Sequence, residues 1–353
     1  MSFQSLVNRV SFNSKGFDIV HNFSDGPILI VKNNQTANKK IVDLIKKLSD
    51  QDVEVINFSS HDAKNLSIEK FIKKIKNINI KLFFIIGGGS IIDYSKRIKN
   101  YIEETKKIKL KFYIIPSRIG SGAESSQTSI LNYNNIKDIK VDSNYIPDGI
   151  IYYTELYESL SNFELSIGAL DALMHCIESK LSLNKNDYLD YFSSSTIEFI
   201  KKTGTIEKLI GEKELNKNDF KNLSILSFNG GISQNNAGSG ICHALAHATE
   251  ELTSINHAQC ISYFSIPVIK YLYSTSKSFK NLFNTETIEL INKMSVNIKI
   301  RSNTVLINNI VKNNSELNSL INKAKKDPCW RLFKETINID ILKKKLINES
   351  ITR

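Results

Sequence analysis

Three of the six histidines in this 353-residue chain fall between residues 243 and 257. His243 and His247 are four residues apart, and Ala244, Leu245, Ala246 and Ala248 around them favour a helix. Both imidazoles then project from one helical face. His257 follows ten residues after His247, past Thr253-Ser254-Ile255-Asn256, a run with the composition of a loop. Upstream, Asp171 and His175 make a second i,i+4 pair inside another helical segment. One carboxylate and up to four imidazoles can therefore meet from two helices and a loop. Nitrogen donors with one carboxylate suit a divalent transition metal, Fe2+ or Zn2+. A lone histidine is ordinarily a satisfied core or surface residue. Four of six in two apolar helical segments at ligand spacing are poorly described that way. Spacing alone leaves a structural and a catalytic metal both open.

A second chemistry is carried by glycine. Gly87-Gly88-Gly89-Ser90 follows the apolar run Leu82-Phe-Phe-Ile-Ile86 and opens a helical pattern that includes Asp93. Glycines there let backbone approach a phosphate, and the helix N-terminus offers unpaired N–H groups at its positive end. Ser90 is placed to cap that helix or to bond the phosphate. The segment is not the GxGxxG fingerprint, and a glycine run by itself also marks an ordinary strand-to-helix turn. Pro116-Ser117-Arg118-Ile119-Gly120-Ser121-Gly122-Ala123-Glu124 follows the next apolar run. Ser117 and Ser121 can donate to phosphate or ribose oxygens, and Lys137 lies close enough in sequence to reach a pyrophosphate.

These loops need elements to hold them. Val10-Ser-Phe and Phe17-Asp-Ile-Val20 are short strand candidates. Pro27–Val31, Val53–Phe58, Leu82–Ile86 and Phe112–Ile115 read as strands, the continuous apolar runs among them being of the buried type. Helical patterns separate them, through Ile41, Leu44, Ile45 and Leu48, then Ile68–Ile75, then from the glycines to about Ile102. This alternation predicts a doubly wound α/β fold with a parallel sheet. Past Tyr157 the chain reads as helix after helix: Leu165–Leu181, Tyr188–Lys202, Asp219–Phe228, Gly240–Leu252, Ile266–Tyr273 and Ile288–Ile298, with a charged helical tail from Leu332. The expected domains are an α/β nucleotide-binding domain, residues 1–157, and an all-α metal-binding domain, residues 158–353.

Composition narrows the class. At 41% hydrophobic the chain can bury a sizeable core, and no apolar run approaches the roughly 20 residues of a membrane span. The first residues lack the pattern of a signal peptide, so a soluble cytoplasmic protein is expected, without membrane partners. Cys176, Cys242, Cys260 and Cys329 form no CxxC pair, and buried free thiols are the expectation in a cytosolic chain. The net charge of +11 is spread over scattered lysines, so no nucleic-acid partner is expected. It suits an anionic small-molecule substrate instead.

Four ordered motifs resemble the iron-containing alcohol dehydrogenases, in the superfamily shared with dehydroquinate synthase and glycerol dehydrogenase. They are Gly87–Asp93, Pro116–Glu124, Asp171-Ala-Leu-Met-His-Cys-Ile-Glu178, and His243-Ala-Leu-Ala-His247 with His257. The resemblance covers roughly residues 27 to 270. It implies a dehydroquinate synthase-like fold with a metal in the cleft between the domains. Its ligands would be Asp171, His175, His243 and His257, and His247 would stay unbound beside the substrate. It implies NAD or NADP on Gly87, Gly88, Gly89, Ser90, Asp93, Ser117, Arg118, Ser121 and Lys137. Asn33 stands where NAD-preferring members carry Asp, which leaves the nucleotide preference open. Arg118 replaces a small hydroxyl residue, Ala258 replaces the glycine after the last histidine, and Tyr153-Thr154 replaces a common Asp-Pro. The Gly-Ser-Gly-Ala-Glu-Ser-Ser variant looks most like a branch acting on sugar acids and cell-surface sugar precursors, such as 3-deoxy-octulosonate 8-oxidase.

The expected activity is a metal- and NAD(P)-dependent dehydrogenase or reductase acting on a small polar substrate, anionic or sugar-derived. The alternative is a dehydroquinate-synthase-type lyase or cyclase that regenerates its NAD. By analogy with the fold, a homodimer is the expected assembly.

Overall fold

The computed structural model of the chain describes residues 7–35, 37–58, 68–75, 79–133, 136–253, 255–301 and 305–351. It divides into two units, Ser5–Ser161 and Asn162–Arg353.

The first unit runs β1 (Arg9–Ser11), α1 (Asp18–His21), β2 (Ile28–Lys32), α2 (Ala37–Leu48), β3 (Val53–Asn57), α3 (Ile68–Ile72), β4 (Leu82–Gly87), α4 (Gly89–Lys106), β5 (Lys111–Pro116), β6 (Thr128–Tyr133), β7 (Ile136–Val141) and β8 (Gly149–Ile151). Six strands form one parallel sheet in the order β1-β8-β5-β4-β2-β3. All six residues of β4 are buried, as are the first four of β2 and the last five of β5. A parallel strand covered on both faces is apolar throughout rather than alternating. On one face Leu29, Val31, Phe83, Ile85, Phe112 and Ile114 pack with Ile91, Tyr94, Ile98 and Ile102 of α4 and Phe71 of α3. Burying each such side chain contributes about 1.5–3 kcal/mol.

The chain steps from β2 outward to β3, returns past β2 to β4, and then moves outward again to β5. The switch point is the gap between the carboxyl ends of β2 and β4, where open α/β sheets bind ligands. Asn33 sits at one side of it, its N–H donating to the Ile86 carbonyl at 3.3 Å. Gly87 is in register with Pro116, so both glycine loops leave the sheet side by side at that end.

Two local readings change. Phe17–Val20 is not a strand: a 3-10 turn, Ser14–Phe17, runs into α1. Phe17 and Val20 are both buried, and their spacing of three fits one face of a helical turn, while Asn13 accepts from the Lys15 N–H to start it. An antiparallel hairpin, β6–β7, follows the second glycine loop. Its charged second strand, Lys137-Asp138-Ile139-Lys140, carries no strong apolar alternation. Lys137 lies on β7, and its side chain is outside the described residues.

The second unit is helical: α5 (Asn162–Ser179), α6 (Asp187–Thr203), α7 (Thr205–Ile210), α8 (Lys217–Ala237), α9 (Ile241–Leu252), α10 (His257–Thr275), α11 (Lys277–Leu282), α12 (Thr285–Arg301), α13 (Val305–Lys312), α14 (Asn314–Ala324), α15 (Pro328–Leu332) and α16 (Ile339–Ile351). Helix α5 is buried almost continuously from Leu165 to Ser179 and packs on α8. Helix α8 continues through Gly230-Gly231, beyond its expected end at Phe228. The glycine serves the packing: a Cβ at Gly230 would lie 2.8 Å from the Ala172 carbonyl oxygen. The tail helix α16 packs against α10.

Candidate functional site

Asp171, His175 and Glu178 lie on α5 at i, i+4 and i+7, one face of the helix. His243 and His247 repeat the four-residue spacing on α9. His257 is the first residue of α10, whose N-terminus Asn256 caps by accepting from the Ala258 N–H at 2.9 Å. These three elements converge on one oxygen. Asp171 Oδ1 lies 3.3 Å from His243 Nε2, 3.8 Å from His175 Nε2 and 3.9 Å from His257 Nε2. His243 and His175 are stacked, with ring centroids 4.4 Å apart.

The outward nitrogens of two of these rings are held by carboxylates. His243 Nδ1 is hydrogen-bonded to Glu178, 2% exposed, which also accepts from the N–H groups of Gly240 at 2.9 Å and Cys242 at 2.6 Å. Gly240 begins α9 with no side-chain cap of its own, so Glu178 closes that helix end from α5. A Cβ at Gly240 would fall 2.9 Å from Glu178 Oε1, which is why glycine stands there. His257 Nδ1 meets Glu250 at 2.9 Å.

The electrostatics follow from burial and neighbours. Burial pushes His175 down to about 3. Burial would also raise Asp171, but the imidazoles, His175 foremost, outweigh it and hold the carboxyl at about 2. Burial would lower His243, yet Glu178 and then Asp171 bring it up to about 9. Among the described residues neither nitrogen of the buried His175 has a hydrogen-bond partner. Leaving a buried polar atom unpaired costs about 1–3 kcal/mol. The donor atoms of Asp171, His175 and His243 lie within 4.8 Å of one another, with His257 Nε2 3.9 Å from the same carboxylate, and a divalent cation there would give His175 Nε2 its missing partner, so the residues present fit the ion.

His247 stands apart. Its Nδ1 meets Asp327 Oδ2 at 2.9 Å, and its ring stacks on His257 with centroids 5.0 Å apart. Among the described residues no ion pair joins it to Asp171, while its donor atom lies within 4.8 Å of those of Glu250 and His257.

The nucleotide candidates gather in the first unit. Gly88 precedes α4 with no side chain capping the helix, so Ser90 does not take the capping role expected of it. The 18-residue helix presents an uncapped N-terminus, the type of end that holds anions. A Cβ on Gly87 would lie 2.6 Å from Ile91 Cβ, so that glycine is also needed for the helix to pack on its strand. Gly89 faces Ser121, whose Oγ would be 3.1 Å from an added Cβ, and Gly88 faces the methylene stem of Arg118. Ser117 is buried with its Oγ unpartnered. This uncapped, glycine-lined cradle fits a pyrophosphate. Asn33 Oδ1 accepts from the Gln35 N–H and from Asn38. Asp93 is turned to the hairpin, accepting from the Ile130 N–H at 3.2 Å and lying 3.6 Å from Lys96.

Sequence reasoning assigned no role to Glu178, Glu250, Asp327 or Lys96. Glu178 carried a signal, its i+7 spacing from Asp171. Asp327 carried none, being 80 residues from its partner. Lys96, fully buried, donates to the carbonyls of Ala123, Ser126 and Thr128 at 2.6, 2.8 and 2.8 Å. It ties the second glycine loop to α4.

Comparison with known proteins bears on the family and the fold. The iron-containing alcohol dehydrogenase model matches residues 15–154, and the C-terminal model of the same family matches residues 166–326. The NADPH-dependent butanol dehydrogenase of Clostridium saccharobutylicum is 29% identical over 54% of this chain and 52% of its own length. The 4-hydroxybutyrate dehydrogenase of Clostridium kluyveri is 25% identical over 60% of each chain. The matches thus span about half to three fifths of these relatives' lengths. The iron-containing alcohol dehydrogenase of Thermococcus thioreducens superposes over the whole of both chains with a TM-score of 0.82 at 17% identity. The chain belongs to the iron-containing alcohol dehydrogenase family and has its dehydroquinate synthase-like fold.

Proposed function

We propose that this chain is a metal- and NAD(P)-dependent dehydrogenase or reductase that interconverts a small polar alcohol and its carbonyl. The observation that carries the reading is the convergence of three imidazole Nε2 atoms on Asp171 Oδ1, with His175 left unpartnered. Fe2+ and Zn2+ both suit this donor set. When bound, the cation supplies a Lewis acid for the substrate oxygen, and the nicotinamide gives or takes the hydride. The residues do the rest. Glu178 and Glu250 fix the two histidines so that Nε2 faces inward. His247, anchored by Asp327, exchanges the substrate's proton. The cradle of Gly87–Gly89, Ser117 and Ser121 holds the pyrophosphate.

The finer proposal is an anionic or sugar-derived substrate. It is supported by the exposed Arg118 on the second glycine loop and by the net charge of +11. The name of the Clostridium kluyveri relative adds to it, since 4-hydroxybutyrate is a small anion. The methylene stem of Arg118 also lies against Gly88 of the pyrophosphate cradle, which makes the cofactor a second candidate partner for its charge. Arg118→Ala separates the two uses: loss of preference for anionic aldehydes at unchanged NAD(P) affinity assigns it to the substrate. Loss of NAD(P) affinity assigns it to the cofactor.

Among the described residues nothing favours the lyase or cyclase alternative. The deciding assay follows NADH and NADPH absorbance over a panel of small aldehydes. One nucleotide oxidised per carbonyl reduced supports the proposal; turnover with no net nucleotide change refutes it.

A further inference from the structure

His247 and Asp327, which serve the proposed proton path, stand beside a thiol that this mechanism does not use. His247, Asp327 and Cys329 each offer a ligand atom, and the three atoms lie within 4.8 Å of one another. We propose that they form a second divalent-cation site, selective for thiophilic ions such as Zn2+ and Cd2+.

The donor set is the first argument. Imidazole, carboxylate and thiolate with an open fourth position is a common zinc environment. Geometry is the second. Nitrogen and oxygen donors on one tetrahedral zinc lie about 3.3 Å apart, given bond lengths of about 2.0–2.1 Å. His247 Nδ1 and Asp327 Oδ2 are 2.9 Å apart, so the pair has to open by only about 0.4 Å. The third argument is how the donors are presented. Asp327 caps α15 by accepting from the Cys329 N–H through Oδ1 at 2.8 Å, which fixes its carboxylate next to Cys329 and leaves Oδ2 turned to His247. Asp327 and Cys329 are partly exposed, so an ion can reach them, whereas Cys176, Cys242 and Cys260 are buried.

The site is separate from the first one. Asp171 gathers His175, His243 and His257, and Asp327 gathers His247. The two adjoin through the stacked rings of His247 and His257. Binding exchanges the Cys329 thiol proton, released to solvent, for a sulfur–metal bond. It also engages His247. The consequence, inhibition by thiophilic cations, rests on the proposed role of His247 in proton exchange. The site itself does not rest on that role.

The test titrates Cd2+ into protein carrying its resident cation, counting bound ions and recording the ultraviolet charge-transfer band of a cadmium–thiolate bond. The expected result is one additional Cd2+ per chain with that band, while the resident ion stays. Cys329→Ser should lose the band and weaken binding at least tenfold. Asp327→Asn, which retains a capping side chain, should keep the band and bind at least tenfold more weakly. No band in the wild type, the same band in Cys329→Ser, or unchanged affinity in Asp327→Asn overturns the site. In parallel, Zn2+ should inhibit turnover of the wild type and not of Cys329→Ser. Binding with the band but without inhibition upholds the site and removes the proton-exchange role of His247.

Discussion

A carboxylate against Nδ1 gives an imidazole one orientation and one tautomer. Three histidines of this chain share that device: His243 with Glu178, His257 with Glu250 and His247 with Asp327. Glu178 does most, since it also holds the start of α9. Glu178→Gln keeps the volume and removes the charge. Metal affinity should fall about 10–100-fold, measured by chelator competition; unchanged affinity would show that Glu178 does not support the ligand. His247→Ala should keep its metal and lose at least about 100-fold in kcat. Loss of the ion instead would make His247 a ligand. The two pairs Asp171/His175 and His243/His247 were legible because i,i+4 spacing is a local property, whereas the choice of His257 over His247 as a ligand rested on the family resemblance. The carboxylates behind the histidines were less legible. Glu178 is visible as one more residue on the face of Asp171, Glu250 lies seven residues from His257 across a loop, and Asp327 reaches His247 only through the folded chain.

The first element to hold the site is the β4–α4 turn. Its three glycines were legible as one motif, yet they differ physically. Gly87 is bound by packing on Ile91, while Gly88 faces the flexible stem of Arg118. Gly88→Val should therefore leave the fold and the metal intact and abolish NAD(P) binding by calorimetry. Retained affinity would mean that the cradle is not the nucleotide site. Helix α4 also carries Asp93, which burial raises from 3.8 to about 6 despite the opposing Lys96. A carboxyl raised in the folded state stabilises it while protonated. That contribution is complete below 3.8, the unfolded value, and is lost as pH rises through about 6. Asp93→Asn stays neutral, so its stability relative to wild type should grow between pH 4 and 7. Over that window the change should be about 2 kcal/mol in denaturant unfolding; parallel pH curves would contradict the burial of this group. Continuous apolar runs made β2, β4 and β5 readable, because strands covered on both faces need no polar residue. The Phe17–Val20 segment misled because four residues with apolar ends fit a strand or a helical turn equally well. The β6–β7 hairpin was hidden by the charges of its second strand.

At the scale of the molecule, the order of elements was the most legible feature. Alternating strands and helices followed by helices alone describe both units, and the ordered motifs placed the chain in its family. The last third was harder to read. Its helices pack through α10, α14 and α16 by contacts distant in sequence, and Asp327 there supplies the partner of His247. The thiols also divide at this scale. Burial pushes Cys176 up to about 12, and the same cause raises Cys242 and Cys260. Cys329, expected to be buried like them, is partly exposed.

In the proposed site, α5, α9 and the start of α10 together hold one divalent ion. Elemental analysis of protein purified without oxygen tests it most directly, comparing wild type with His243→Ala. The predicted result is about one Fe2+ or Zn2+ per wild-type chain, four protein donors to one ion, and almost none in the variant. A wild type that binds no ion under metal-replete conditions, or a variant that retains it in full, would contradict the account.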